Sequence, residues 1–238
     1  MFKSQCLLLC LCFVAASFGN IAPFIDKCEW SDKACLVKSS QKAVPFLAAG
    51  LKEIGLPPLD PLKMSKATLQ EGELKIEFED MTVIGTSKCK VVKVERNLDQ
   101  SSLLFEAECP IKVEGTYTGS GKLIFAPFEG HGAFEVQTNK IFISIKAEIK
   151  TVTGADGVEH WQVGKVENSY DCIEKASFKF ENLFNGDKSK ADPIMVIFDQ
   201  SWKELMSSVA KPIVNAIVDE YVSAIKIFAD KVPRNELE

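Results

Sequence analysis

A chain of 238 residues with a net charge of −5 and no block of lysine or arginine lacks the clustered positive charge that phosphate neutralisation requires, which excludes nucleic acid as a partner. The length suffices to bury a substantial core in one large domain or two small ones, and the mild acidity favours solubility. At the N-terminus Lys3 precedes an apolar stretch from Cys6 to Ala16, followed by small residues, in the order of a secretory leader. The stretch is too short to span a bilayer, which takes about 20 residues, so a retained anchor is the lesser reading. No later segment is long and apolar enough to anchor the chain, and stable membrane insertion is not expected. Ser17 and Gly19 favour cleavage before Asn20, with Ala15 and Ser17 as a second choice. Residues 1–19 are thus read as a leader and residues 20–238 as a secreted protein, whose loss of Lys3 takes the net charge from −5 to −6.

Cys6, Cys10 and Cys12 leave with the leader; Cys28, Cys35, Cys89, Cys109 and Cys172 remain. An oxidising compartment favours pairs, and an odd number leaves one thiol over. Cys28 and Cys35 are close enough to staple the N-terminal segment. Cys89 and Cys109 flank a hairpin whose turn centres near Asn97–Ser102, so they could face each other across two antiparallel strands, leaving Cys172 free. There is no CxxC and no nearby histidine pair, so neither zinc nor another cofactor is expected.

Apolar residues at Cys35/Leu36, Ala43/Val44, Leu47 and Leu51 predict a helix over Ser31–Glu53, capped by Ser31 or Asp32 and kinked or divided at Pro45. The run from Gly55 to Pro61 reads as an extended, rigid connection. From Leu74 to Phe180 the period changes to two. Leu74, Ile76 and Phe78 alternate with charged residues, and Val91–Glu95, Leu103–Glu108, Ile111–Tyr117, Lys122–Phe125, Ala133–Gln137 and Ile141–Ile149 follow as short strands. Turns are expected at Asn97–Ser102, Gly119–Gly121, Glu129–Gly132, Thr138–Asn139 and Gly154–Gly157. Alternation puts Ile141, Ile143, Ile145, Ala147 and Ile149 on one apolar face. Gly115 and Gly121 would let the sheet curve.

Beyond Asn185-Gly186-Asp187 the pattern is helical again. Asp192-Pro193 offers a cap and a first-turn proline. Phe198, Trp202, Leu205, Val209, Ile213, Ile217, Tyr221, Ile225 and Phe228 then form a stripe that continues past Pro212, which should bend the helix without ending it. From Asp192 to Lys231 the helix would be roughly 60 Å long. Its apolar partner is the greasy face of the sheet. The predicted fold is therefore α+β: a long C-terminal helix wrapped by a highly curved antiparallel sheet, with a short N-terminal helix. A helix cannot fill a wide curled sheet, so an apolar tunnel between them is expected. Candidate lining residues are Phe105, Phe125, Phe134, Phe142 and Ile145 from the sheet and Phe198, Trp202 and Met206 from the helix, with Phe46 and Leu47 closing one mouth. Tyr117 or Tyr221 could orient a polar end, or could equally be structural.

The spaced Cys28 and Cys35, the run Leu56–Leu62 (LPPLDPL), the set Tyr117, Gly121, Pro127, Gly130 and Gly132, and the segment Asn182–Asp187 (NLFNGD) together resemble the insect takeout and juvenile-hormone-binding protein family. The match runs along nearly the whole chain after the leader. The resemblance implies the super-roll of tubular lipid-binding proteins, and binding of juvenile hormone or another terpenoid or lipid. Cys89 and Cys109 lie earlier than the second bridge of the hormone carriers, and Cys172 has no evident C-terminal partner, which favours the takeout-like branch. A secreted monomeric carrier of a hydrophobic small molecule is the leading reading. A surface-acting interaction protein, with a cell-surface receptor as partner, is the second. An esterase ranks last, because His131 and His160 stand in no nucleophile or metal motif and the chain is not read as an enzyme.

Overall fold

The computed structural model describes residues 20–238; the leader read at residues 1–19 lies outside them. The element order is helix α1 (Lys33–Ala49), strands β1 (Leu62–Glu71), β2 (Leu74–Ile84), β3 (Lys90–Asn97), β4 (Ser102–Leu123), β5 (Ala126–Thr153), β6 (Glu159–Cys172) and β7 (Ser177–Phe180), then helices α2 (Lys188–Gln200), α3 (Trp202–Glu204), α4 (Lys211–Lys231) and α5 (Arg234–Leu237). All seven strands form one antiparallel sheet in the order β1-β2-β4-β5-β6, with β3 on β4 and β7 on β5. The 22 residues of β4 and the 28 of β5 form a ribbon on which the other strands are mounted. The first half of β4 pairs with β3, its second half with β2. The first part of β5 pairs with β7 and the rest with β6.

The sheet curls because its register slips at Glu79/Thr82, Cys109/Ile111 and Ala147/Ile149, each slip adding local twist. Its concave face is covered by α4, which lies against both β1 and β6. Ala224 and Phe228 of α4 share one buried cluster with Leu69, Ile76, Phe78, Met81 and Val83 of β1 and β2. Helix α1 covers β3 instead, packing Leu36 on Val91 and Val94. Gln41 of α1 docks on the backbone beside β3, donating to the Cys89 carbonyl at 3.0 Å and accepting from the Val91 N–H at 2.8 Å. Both expected disulfides are present, Cys28–Cys35 and Cys89–Cys109, and Cys172 is a buried free thiol.

Several expected boundaries move. The Gly119–Gly121 and Glu129–Gly132 turns are strand interior, and the Thr138–Asn139 turn also lies within β5. Those glycines serve close approach: a Cβ on Gly119 would stand 2.9 Å from Ile76 Cγ1, and one on Gly130 2.4 Å from the Tyr117 hydroxyl. The turn lies where a strand was expected, at Ile124–Phe125 between the paired Leu123 and Ala126. Strands β1, β6 and β7 join those expected. Helix α1 starts at the expected Asp32 cap, stops at Ala49 and carries Pro45 without dividing. The connection beyond it is folded at first, with a turn at Lys52–Ile54 closed by the Leu51–Leu56 pair, and extended only afterwards. The C-terminal stripe is not one helix. Asp187, not Asp192, caps α2, accepting from the Ser189 N–H, and Pro193 lies inside it. A break at Ser201 and a π-helical turn at Leu205–Val209 separate α2 from α4. Pro212 then sits in the first turn of α4, where its missing N–H costs nothing.

Gly121 has φ +122°, and a Cβ there would lie 2.0 Å from the Glu73 carbonyl oxygen. Gly121→Ala is therefore expected to destabilise the fold by about 2–4 kcal/mol, read as a lowered midpoint in urea denaturation with the slope unchanged.

Candidate functional site

Between the sheet and the helices lies a cavity of about 100 Å³ bounded wholly by apolar side chains. Leu69 of β1, Ile76 and Phe78 of β2, Val113 and Leu123 of β4, Phe134 and Val136 of β5, and Phe178 and Phe180 of β7 form its sheet wall. Phe198 of α2, Leu205, Met206 and Val209 of the π-turn, and Ala210, Ile213, Val214 and Ile217 supply the helical wall. The π-turn is what brings Leu205, Met206 and Val209 to the same side, because the extra residue rotates the stripe across the break.

Phenylalanines fill most of the surrounding space. Phe198 stacks on Phe178 at 5.1 Å and on Phe180 at 5.0 Å, Phe180 on Phe134 at 6.0 Å, and Phe134 meets Phe78 edge-on at 4.7 Å. The free volume corresponds to about three waters, below the ~300 Å³ at which ligand pockets usually begin. A terpenoid or acyl chain therefore enters only if rings of this column turn aside.

Of the residues singled out from sequence, the structure brings together Phe134, Phe198 and Met206 on the cavity wall. Trp202 is adjacent, packed on the Cys172, Ala176 and Met206 cluster. Phe125 is not on the wall: it sits at the β4–β5 turn, 73% exposed. Phe105 packs under α1 with Leu36, Val91 and Val94, and Ile145 is its cross-strand partner. Phe142 alternates out of phase with Ile141 and Ile143 and joins no buried cluster. Phe46 is largely exposed and stacks on Phe24 at 4.7 Å, while Leu47 packs on the main core. Phe178 and Phe180 were missed, although the alternation Ser177-Phe178-Lys179-Phe180 carries the signal.

Both candidate polar contacts are used internally. The Tyr117 hydroxyl donates to the Glu181 carbonyl at 2.7 Å, and burial pushes its pKa up to about 12. The Tyr221 hydroxyl lies 2.5 Å from Thr86 Oγ1, and burial likewise pushes it up to about 12. The histidines also have partners within the protein. His131 Nε2 lies 3.0 Å from Asn182 Nδ2. Buried His160 has Nδ1 3.1 Å from the Val232 carbonyl and Nε2 3.0 Å from Asp156 Oδ2, so both ring nitrogens already face protein oxygens and neither faces a nucleophile. Among the described residues no group of three His, Cys, Asp or Glu is placed to hold a metal.

The far end of the roll is closed differently. Arg96 lies between Trp30 and Trp161, its Cζ 5.9 Å from each ring, and Trp161 Nε1 donates to Glu238 at 2.9 Å. Burial lowers the Arg96 pKa, opposed by the Glu238 carboxylate.

Residues 6–237 match the sequence profile described as haemolymph juvenile hormone binding protein. The chain belongs to that family. The crystal structure of Epiphyas postvittana Takeout 1 superposes with a TM-score of 0.87 at 26% identity, covering 90% of this chain and 99% of that one. A Schistocerca gregaria protein named for beta-carotene binding is 26% identical over 128 residues, 52% of this chain and 49% of that protein. The chain thus aligns with about half the length of this curated relative. The haemolymph juvenile hormone binding protein family is one of carriers, not of enzymes, and the sheet-wrapped helix of Takeout 1 is the architecture described above.

If Tyr117 is structural, Tyr117→Phe leaves the Glu181 carbonyl short of its donor and costs about 1–2 kcal/mol in urea unfolding, with no change in affinity for an apolar probe.

Proposed function

We propose that this protein is a secreted carrier of a slender hydrophobic molecule, held in the cavity between β7, β5 and the π-turn. The observation that supports it most is the composition of the cavity wall, in which every side chain is apolar. Burial at about 25 cal/mol per Å² holds such a ligand without a polar anchor. The two disulfides support an oxidising, extracellular location, and no described helix is long and apolar enough to cross a membrane. Residues 20–238 act as the ligand-binding domain, and a monomer suffices because sheet and helices of one chain build the cavity.

The cargo is a terpenoid, polyene or acyl chain. The name of the Schistocerca gregaria relative supports an elongated polyene, and that of the family a terpenoid hormone. Rotation of Phe180 and Phe198, which stack on each other, would lengthen the cavity along the ribbon. Tyr117 and Tyr221 keep their internal partners in this reading, so binding is by shape.

The test is to purify the secreted protein, identify co-purified apolar molecules by native mass spectrometry, and displace a fluorescent fatty-acid probe. Ala210→Phe places a ring into the cavity and is expected to weaken probe affinity on the order of tenfold or more with the thermal midpoint retained. Absence of any bound apolar molecule together with no probe binding by the wild type would refute the carrier.

A further inference from the structure

The β4–β5 turn consists of Ile124 and Phe125 alone. Two-residue hairpin turns place positive φ at the first central residue, a position that suits glycine. Here a β-branched isoleucine occupies it with φ 57°. Solvated turns carry polar residues, yet Ile124 is 39% and Phe125 73% exposed, and Pro127 beside them is exposed too. Backbone strain at Ile124 and exposed apolar surface on Ile124 and Phe125 thus coincide in one turn.

Directly inside the turn the chain enters the cavity wall. Leu123 is 1% exposed and lines the cavity, and Phe128 is 1% exposed with its ring 6.5 Å from that of Phe198. Charge around the tip is mixed. Glu73 of the neighbouring β1–β2 turn lies 3.5 Å from Lys122, with Glu71 and Glu129 exposed nearby and Lys75 at the start of β2. There is no excess of lysine there, and the whole chain is net negative. An anionic lipid surface would repel it, whereas a neutral one would not.

We propose that Ile124 and Phe125 form a docking tip that dips into the surface of a zwitterionic lipid layer, so that cargo exchanges at this end of the roll. The proposal rests on the carrier reading. A tip of two side chains gives a weak, reversible contact, suited to repeated loading and release. Cargo that partitions out of a lipid layer meets Leu123 and then the phenylalanine column, without crossing water.

The test uses the mature full-length protein, phosphatidylcholine vesicles with and without phosphatidylserine, and a fluorescent fatty acid as probe. Wild type is expected to float with phosphatidylcholine vesicles in low and high salt and to take probe from them. Ile124→Gly, which suits the turn, combined with Phe125→Ser should abolish flotation and slow vesicle transfer on the order of tenfold. The affinity of that variant for probe added without vesicles should match wild type. Leu98→Asp, in the exposed turn at the other end of β4, should change neither. Wild-type transfer rates in the tip variant, an equal loss in Leu98→Asp, or binding that requires phosphatidylserine would each overturn the proposal, the last two pointing to a general surface effect and to charge. Failure of wild type to bind probe without vesicles would instead remove the carrier reading itself.

Discussion

The structure depends on one mutual burial: the apolar stripe of α4 against the concave face of the sheet. Neither is stable in water alone. An isolated helix of 21 residues is marginal, and a curled sheet with an open greasy face would aggregate. Their union also sets the shape, since β1 and β6 must both reach α4 while β4 and β5 run behind it. A cylinder pressed into a curved sheet touches both flanks more easily than the middle. Side chains must fill the remainder, and flat phenylalanine rings do so incompletely. The cavity is the residue of that mismatch.

Glycine placement follows from the same curvature. Where the sheet folds most tightly, backbones and rings approach within the space a Cβ would need. Gly115 stands 2.7 Å, at its Cβ position, from the Glu79 carbonyl oxygen beside the register slip, and Gly119 is wedged against Ile76 and Phe128. In a flat sheet these positions would carry side chains. Here removing the side chain admits the neighbouring element, and the apparent turn signals are marks of packing.

This explains which parts of the fold were legible in the sequence. Alternation in Ile141–Ile149 and the three- and four-residue steps from Phe198 to Phe228 are amphipathic signals from which the helix-in-sheet plan follows, while the disulfides follow from the short Cys28–Cys35 separation and from the turn that Cys89 and Cys109 flank. Strand β1 was hidden because its buried positions, Leu62 and Met64 then Ala67 and Leu69, change phase midway. The junction of β4 and β5 was misplaced because Ile124 and Phe125 look like strand residues, while glycines elsewhere look like turns. The site was half legible for a related reason. Helical periodicity identified Phe198 and Met206, but which aromatics of a 28-residue strand point inward depends on register slips that leave no compositional trace.

Polar chemistry completes the logic. All three tyrosine hydroxyls bind within the protein, and each ties one element to another: Tyr117 to Glu181, Tyr170 to the Met206 carbonyl at 2.6 Å, and Tyr221 to Thr86. Each such bond contributes about 1 kcal/mol. Two of the three tie the helical layer to the rest of the roll, Tyr170 of β6 to the π-turn and Tyr221 of α4 to Thr86 in the turn between β2 and β3. Phenols committed in this way cannot also anchor a ligand without losing those ties. In the carrier proposed above, selection would fall to the width that the Phe134, Phe178, Phe180 and Phe198 column permits, discriminating weakly between chains of similar girth and strongly against bulky ones. Such a carrier would accept a class of molecules, defined by thickness and the absence of charge.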